Sequence, residues 1–246
     1  MHPVLFQIGP LVIRSYGVFV ATAFLTGFWL LYLEAKRKNF YPDKIRDMEL
    51  YILISGIVGA RALHVLVNLD YYALHASEIT KLWHGGLAIY GGLLFGIIAG
   101  WVFIVRNGMP LFATGGLVIP YIALGQSIGR IGCFFNACCF GKVAVIPALG
   151  VVFPGDSVAR YPTQLYASLL LLAIFVFLKI AGQKKLRGGF LFASYLLLYA
   201  VQRFAIDFLR DDTPRYLFGF TVSQFLSIGV FAFAGAFLIG QRKWKN

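Results

Sequence analysis

Two short stretches concentrate the chemistry of this chain. The first, GQSIGRIGCFFNACCFGK (125–142), gathers Arg130, four glycines, Asn136 and all three cysteines between two apolar runs. The second, YAVQRFAIDFLR (199–210), sets Tyr199, Arg203, Asp207 and Arg210 at offsets of four, four and three. At about 100° per residue these four side chains share one helical face, while Phe204, Ile206, Phe208 and Leu209 take the others. Two arginines against one aspartate leave that face net positive, and an Arg203–Asp207 pair that only locks helices together is the plainer alternative. Guanidinium is suited to hold an anion in an apolar setting, since its planar fork grips phosphate oxygens in pairs and keeps its charge.

The elements that must carry these residues are membrane helices. Of 246 residues, 59% are hydrophobic and 13% charged, and the mean hydropathy is +0.77, far from the balance of a soluble domain. Seven spans are predicted, at approximately 15–33, 48–69, 87–105, 112–130, 162–180, 188–209 and 218–240, each near the ~20 residues needed to cross a bilayer. The fold class is therefore all-α and polytopic, with 1–246 as one transmembrane domain. Two of the spans carry Arg61 or Arg203 with Asp207. Charges at that depth usually face protein or a wet cavity and are functional candidates.

The net charge of +12 is topological and does not point to nucleic acid. Thirteen basic residues fall in alternate connections: Lys36, Arg37, Lys38, Lys44 and Arg46; Arg106; Lys179, Lys184, Lys185 and Arg187; Arg242, Lys243 and Lys245. The other connections hold only Lys81, then Lys142 and Arg160, then Arg215. The positive-inside rule then predicts an outer N-terminus and a cytoplasmic C-terminus. The opening segment lacks a basic n-region and a cleavage signal, so it reads as retained, with residues 6–12 at the outer interface.

Further polar groups gather on the outer side. Arg14 and Tyr16 open the first span, Gln164 and Tyr166 open the fifth, and Arg61 sits among Gly56, Gly59 and His64, for which a core role is the simpler reading. Trp83 suits an interfacial anchor, and paired glycines flank Tyr90 about two turns into the predicted third span, implying a kink, close packing or room for a ligand. Five arginines, Arg14, Arg61, Arg130, Arg203 and Arg210, are expected to reach one outward-opening cavity that holds a phospholipid phosphate. Cys133, Cys138 and Cys139 form C-x4-C-C, an uncommon zinc spacing with no nearby histidine to complete four ligands. Packing or one disulfide is expected of them, no metal, and no part in the chemistry.

Taken in order, RSYG (14–17), GGLAIYGGL (85–93), GRIGCFFNACCFG (129–141), PTQLY (162–166) and YAVQRFAIDFLR (199–210) resemble the phosphatidylglycerol–prolipoprotein diacylglyceryl transferase family over nearly the whole chain. The resemblance implies a multi-pass enzyme of the bacterial inner membrane that needs no cofactor. Its partners would be phosphatidylglycerol and prolipoprotein signal peptides, and it would move diacylglyceryl onto the lipobox cysteine thiol, forming a thioether and releasing glycerol phosphate. Matching positions imply Arg130 and Arg203 as essential arginines and Tyr16 as the early tyrosine, all catalytic, with Gly141, Tyr199, Asp207 and Arg210 as the supporting, substrate-binding set; the setting of the residues themselves adds Tyr90 to the catalytic candidates and Arg61, Asn136 and Gln164 to the substrate-binding ones. Three departures stand out: the family pattern has histidine at Tyr90, asparagine at Cys133 and glutamate at Cys138. A tyrosine is a poor base near neutrality, and His84, about 600° away along a helix, is no evident substitute. Another group activates the thiol, or no base is indispensable, or the chain is a differently specific or non-catalytic lipid-binding paralogue. An anion or lipid transporter is the remaining alternative.

Overall fold

The computed structural model describes residues 3–8, 11–82, 85–183 and 188–243. Trp83, His84, Lys184, Lys185, Arg187 and Lys245 lie outside the described residues. Among the described residues seven helices are long and apolar enough to cross a membrane: α1 (Ser15–Arg37), α2 (Pro42–Val67), α4 (Ile89–Arg106), α5 (Leu111–Phe135), α6 (Thr163–Gln183), α7 (Gly188–Leu209) and α8 (Val222–Lys243, apolar to Gly240). A short α3 (Leu69–Leu74) follows α2. Two hairpins add to the helices: β1 (Val4–Ile8) pairs antiparallel with β2 (Leu11–Arg14), and β3 (Val151–Val152) with β4 (Ala159–Arg160). The expected interfacial opening segment is thus a strand pair. Many large apolar side chains stay exposed on the spans, Leu25, Trp29, Leu169 and Ile239 among them, as lipid-facing surfaces require.

The chain divides into two compact units, residues 32–114 and residues 1–31 with 115–246. In the first of these, α2 packs on α4 through glycine. A Cβ on Gly91 would lie 2.3 Å from the Gly59 carbonyl oxygen, and one on Gly59 would lie 2.7 Å from that of Gly91. Without a hydrophobic drive between helices in lipid, such close backbone approach supplies the packing. That answers what the glycines beside Tyr90 are for. Gly85 and Gly86 take φ of +84° and +77°, so the chain turns there and α4 begins only at Ile89.

In the other unit, α5 is stitched to α6 by reciprocal bonds. Ser127 Oγ donates to the Ser168 carbonyl at 2.8 Å, and Ser168 Oγ to that of Ser127 at 2.9 Å. Tyr195 Oη on α7 donates to Gln126 Oε1 on α5 at 2.8 Å. Around these, Ile119, Ala123, Ile174, Leu178 and Leu191 form a buried apolar core.

Candidate active site

The site in this unit starts from how α5 ends. The Cys138 N–H bonds the Cys133 carbonyl at 3.2 Å, and the Ala137 N–H bonds that of Phe134 at 3.1 Å. With Ala137 at φ +51°, this is a Schellman cap that folds the chain back over the last turn. Glycine usually occupies that position. Alanine there and Cys139 at φ +62° each cost about 1–3 kcal/mol, strain of a kind that gathers at functional sites. The reversal brings Cys138 back to Cys133, and the three sulfurs lie within 4.8 Å of one another. Asn136 reaches the Cys138 sulfur with its side chain.

The returning loop is anchored from below. Thr163 Oγ1 donates to the Cys139 carbonyl at 2.8 Å and Gln164 Nε2 to that of Cys138 at 2.6 Å. Gln164, 1% exposed, therefore works on the loop backbone, where the sequence assigned it to substrate. Gly141 is a backbone junction too. Its N–H bonds the Tyr161 carbonyl, it bridges to Arg210, and a Cβ would lie 2.6 Å from the Leu209 oxygen. Phe140 and Phe134 pack on buried Phe153. Arg160 sits over the Phe140 ring and pairs with Asp156, and that hydrogen bond holds the Asp156 carboxyl below the usual carboxylate range.

The polar face of α7 is present and braced by α8. Arg203 Nη2 lies 3.1 Å from Asp207 Oδ1 and donates to Ser223 Oγ at 2.8 Å. Asp207, fully buried, accepts from Thr221 Oγ1 at 2.6 Å on its other oxygen. Thr221 caps α8. Its Oγ1 accepts from the Gln224 N–H and its N–H donates to Gln224 Oε1, a capping box readable in the sequence as Thr-x-x-Gln. Thr221 and Ser223 were missed by the sequence reading, and that motif was the available signal. Tyr199 stacks on Tyr195 with centroids 5.7 Å apart.

Four arginines of this unit differ in how they are held. Arg14 ends β2, exposed. Arg210 is gripped at both ends by Asp212, at 2.8 and 2.6 Å. Burial, the largest single influence, lowers its pKa, but the hydrogen bonds and charge of Asp212 together with Cys139 and Asp207 leave it above the ordinary value. Arg203 has its aspartate. Half-buried Arg130 forms no hydrogen bond or ion pair among the described residues. Its charge acts on Tyr16, on Cys139 and on Arg203, which sets them in one electrostatic neighbourhood. Tyr16 lies beside Gly132, where a Cβ would be 3.6 Å from its Cδ2.

The unit of residues 32–114 holds Arg61 and Tyr90. Arg61 is the clearest correction. Its Nε donates to the Ile79 carbonyl at 2.8 Å, Nη1 to Gly85 and Gly86 at 2.7 and 2.9 Å, and Nη2 to Glu78 and Lys81 at 2.5 and 3.4 Å. All five N–H groups of a guanidinium are thereby engaged, so Arg61 braces a loop and has no fork left for phosphate. His64, half-buried, packs against Gly86 of that loop and edge-on to Tyr72. Tyr90 is also displaced from its expected depth: with α4 starting at Ile89 it lies in the first turn, 77% exposed.

Among the described residues, then, the chain is a helical membrane protein of seven spans in which Arg130, near braced Arg203 and Arg210, has no hydrogen bond or ion pair of its own. The family follows from the match of residues 3–240 to the model of prolipoprotein diacylglyceryl transferase: the chain belongs to that family. It is similar to phosphatidylglycerol–prolipoprotein diacylglyceryl transferases of Nostoc sp. (38% identical, over 86% of this chain and 79% of the relative) and Streptococcus pneumoniae (35%, over 100% and 96%). That of Bacillus velezensis is 32% identical, over 98% and 93%.

Proposed function

We infer that the chain transfers diacylglyceryl from phosphatidylglycerol to the cysteine thiol of prolipoproteins, as a multi-pass protein of the bacterial inner membrane. The membership of the family over nearly its full length carries this reading. In the reaction the substrate thiol gives up its proton to water, its sulfur bonds the glyceryl methylene carbon, the carbon–oxygen bond to phosphate breaks, and glycerol phosphate leaves with the electron pair. The residue roles are our proposal. Arg130, with no protein partner among the described residues, holds the phosphate and offsets charge growing on its bridging oxygen as the bond breaks. Arg203, fixed by Asp207 and Ser223, adds a second oriented cation, and Tyr16 offers a hydroxyl within reach of the Arg130 charge. Asn136 orients the loop sulfur next to it, Tyr199 and Arg210 line the cationic face, and Gly141 and Gln164 hold the signature loop. Tyr90 offers a hydrogen bond at an exposed helix start, which suits positioning better than proton abstraction. The whole chain works as one transmembrane domain with its N-terminus outside and C-terminus cytoplasmic.

The test is purified protein in phosphatidylglycerol vesicles with a lipobox peptide. The expected result is a peptide heavier by one diacylglyceryl group with matching release of glycerol phosphate. Release of neither, with the peptide thiol intact, overturns the reading.

A further inference from the structure

We propose that Cys133, Cys138 and Cys139 form a three-thiolate site for a soft divalent cation of the zinc type, whose fourth position receives the substrate thiol. The proposal rests on the transferase reading above for the identity of that thiol.

Spacing argued against a metal, and the folded loop reverses the argument. The Schellman turn returns Cys138 to the last turn of α5, and the αL backbone of Cys139 turns its sulfur to the same point. Sulfurs bound tetrahedrally at ~2.3 Å from zinc stand about 3.8 Å apart. Here the Cys138 and Cys139 sulfurs are 3.6 Å apart and all three lie within 4.8 Å, so small rotations suffice to close on one ion. A disulfide fits less well. Adjacent Cys138 and Cys139 have Cα atoms about 3.8 Å apart, below the usual disulfide range, and any other pairing strands one thiol. The backbone is held for the purpose: Thr163 and Gln164 bond the carbonyls of Cys139 and Cys138, leaving both sulfurs unencumbered by these anchors.

Three protein ligands with an open fourth position is the pattern of a reactive zinc centre. The charges of Arg210 and Arg130 both act on Cys139, offsetting the anionic character that three thiolates give the ion. The reaction needs a thiolate, and a thiol that coordinates such an ion is deprotonated outright. Its proton goes to water, the bound sulfur attacks the glyceryl carbon, and the phosphate oxygen departs with the bonding electrons. The thioether product is a weak ligand and leaves. This supplies thiol activation in a chain that has Tyr90 where its family pattern has histidine.

The experiment loads the purified full chain with Co(II) and follows the sulfur-to-cobalt charge-transfer band, with Zn(II) competition and metal content per chain. One ion per chain and a band that grows when a lipobox peptide is added, but not when its cysteine is replaced by serine, are expected. The triple variant C133S/C138S/C139S, and Cys139→Ser alone should the triple fail to fold, lose the band and the bound ion. No stoichiometric ion in reduced protein, a band unmoved by the peptide thiol, or full lipid transfer by a metal-free serine variant each overturns the proposal. Failure of the transferase reading is seen separately, as absence of lipidated peptide from every preparation, because the cobalt band is read without turnover.

Discussion

Arg61 and Arg130 are the same side chain set into apolar helices, and each interrupts a span beside small residues. Arg61 spends every N–H on carbonyls of residues 78–86. Arg130 has no such partner among the described residues, although its charge acts on Tyr16, Cys139 and Arg203. An intramembrane arginine is thus read by accounting for its donors. Where the backbone absorbs all five it is scaffold, and where none is absorbed among the described residues the fork stays open. Arg203 stands between, with one carboxylate and one hydroxyl.

Asp207 gives the largest expected effect, because it fixes the intermediate case. Asp207→Ala removes the ion-pair partner of Arg203 and the acceptor of Thr221 from a fully buried site. Breaking such a pair costs about 3–5 kcal/mol. A fall of that size in unfolding free energy in detergent is expected, and a variant of wild-type stability without activity would instead give the aspartate a chemical role.

Arg130→Ala and Arg130→Lys test the opposite side of the contrast. Losing an oriented donor to a developing oxyanion costs about 10²–10³-fold in turnover, and lysine restores charge without the fork. Both variants should lose transfer by that order while unfolding unchanged. A lysine variant of near-normal rate would show that a point charge suffices.

Arg61→Ala should do the reverse. Carbonyls of the loop lose their donors, at about 2–3 kcal/mol in total once water has replaced some of them. Stability falls, while transfer per folded molecule stays within about twofold, well under the tenfold that 1.4 kcal/mol represents. A stable but inactive Arg61→Ala protein would erase the distinction between the two arginines.

The seven spans were legible because length and hydropathy suffice to identify helices that must satisfy their own backbone in lipid. Their ends were less so. The second helix starts at Pro42, six residues before the apolar run, since proline at the first position follows a left-handed Tyr41 and charged Asp43 and Lys44 are carried within the helix. The face of α7 was legible from spacing alone, and the partners of Arg61 were not, since backbone carbonyls have no sequence signature. The cysteine cluster stayed hidden for a related reason. A Schellman turn is recognised by its glycine, and here Ala137 takes that place, so the fold-back that overrides the C-x4-C-C spacing left no mark.

Tyr90 carries the smallest effect and bounds the comparison from the side of residues that hold no charge. It lies in the first turn of α4, exposed. If its hydroxyl orients a substrate, Tyr90→Phe loses one neutral hydrogen bond, about 0.5–1.5 kcal/mol or roughly two- to tenfold in rate. Tyr90→His should then be tolerated, since imidazole supplies a similar bond. A base at this position predicts something different: the histidine variant would be faster, and its rate would rise through the imidazole range as pH increases and the ring loses its proton. Thiol activation elsewhere in the molecule leaves the pH profile of Tyr90→His superimposable on that of the parent. Initial rates across pH for the parent and both variants separate these cases. A Tyr90→Phe protein of unchanged rate would reduce Tyr90 to an aromatic at the membrane boundary.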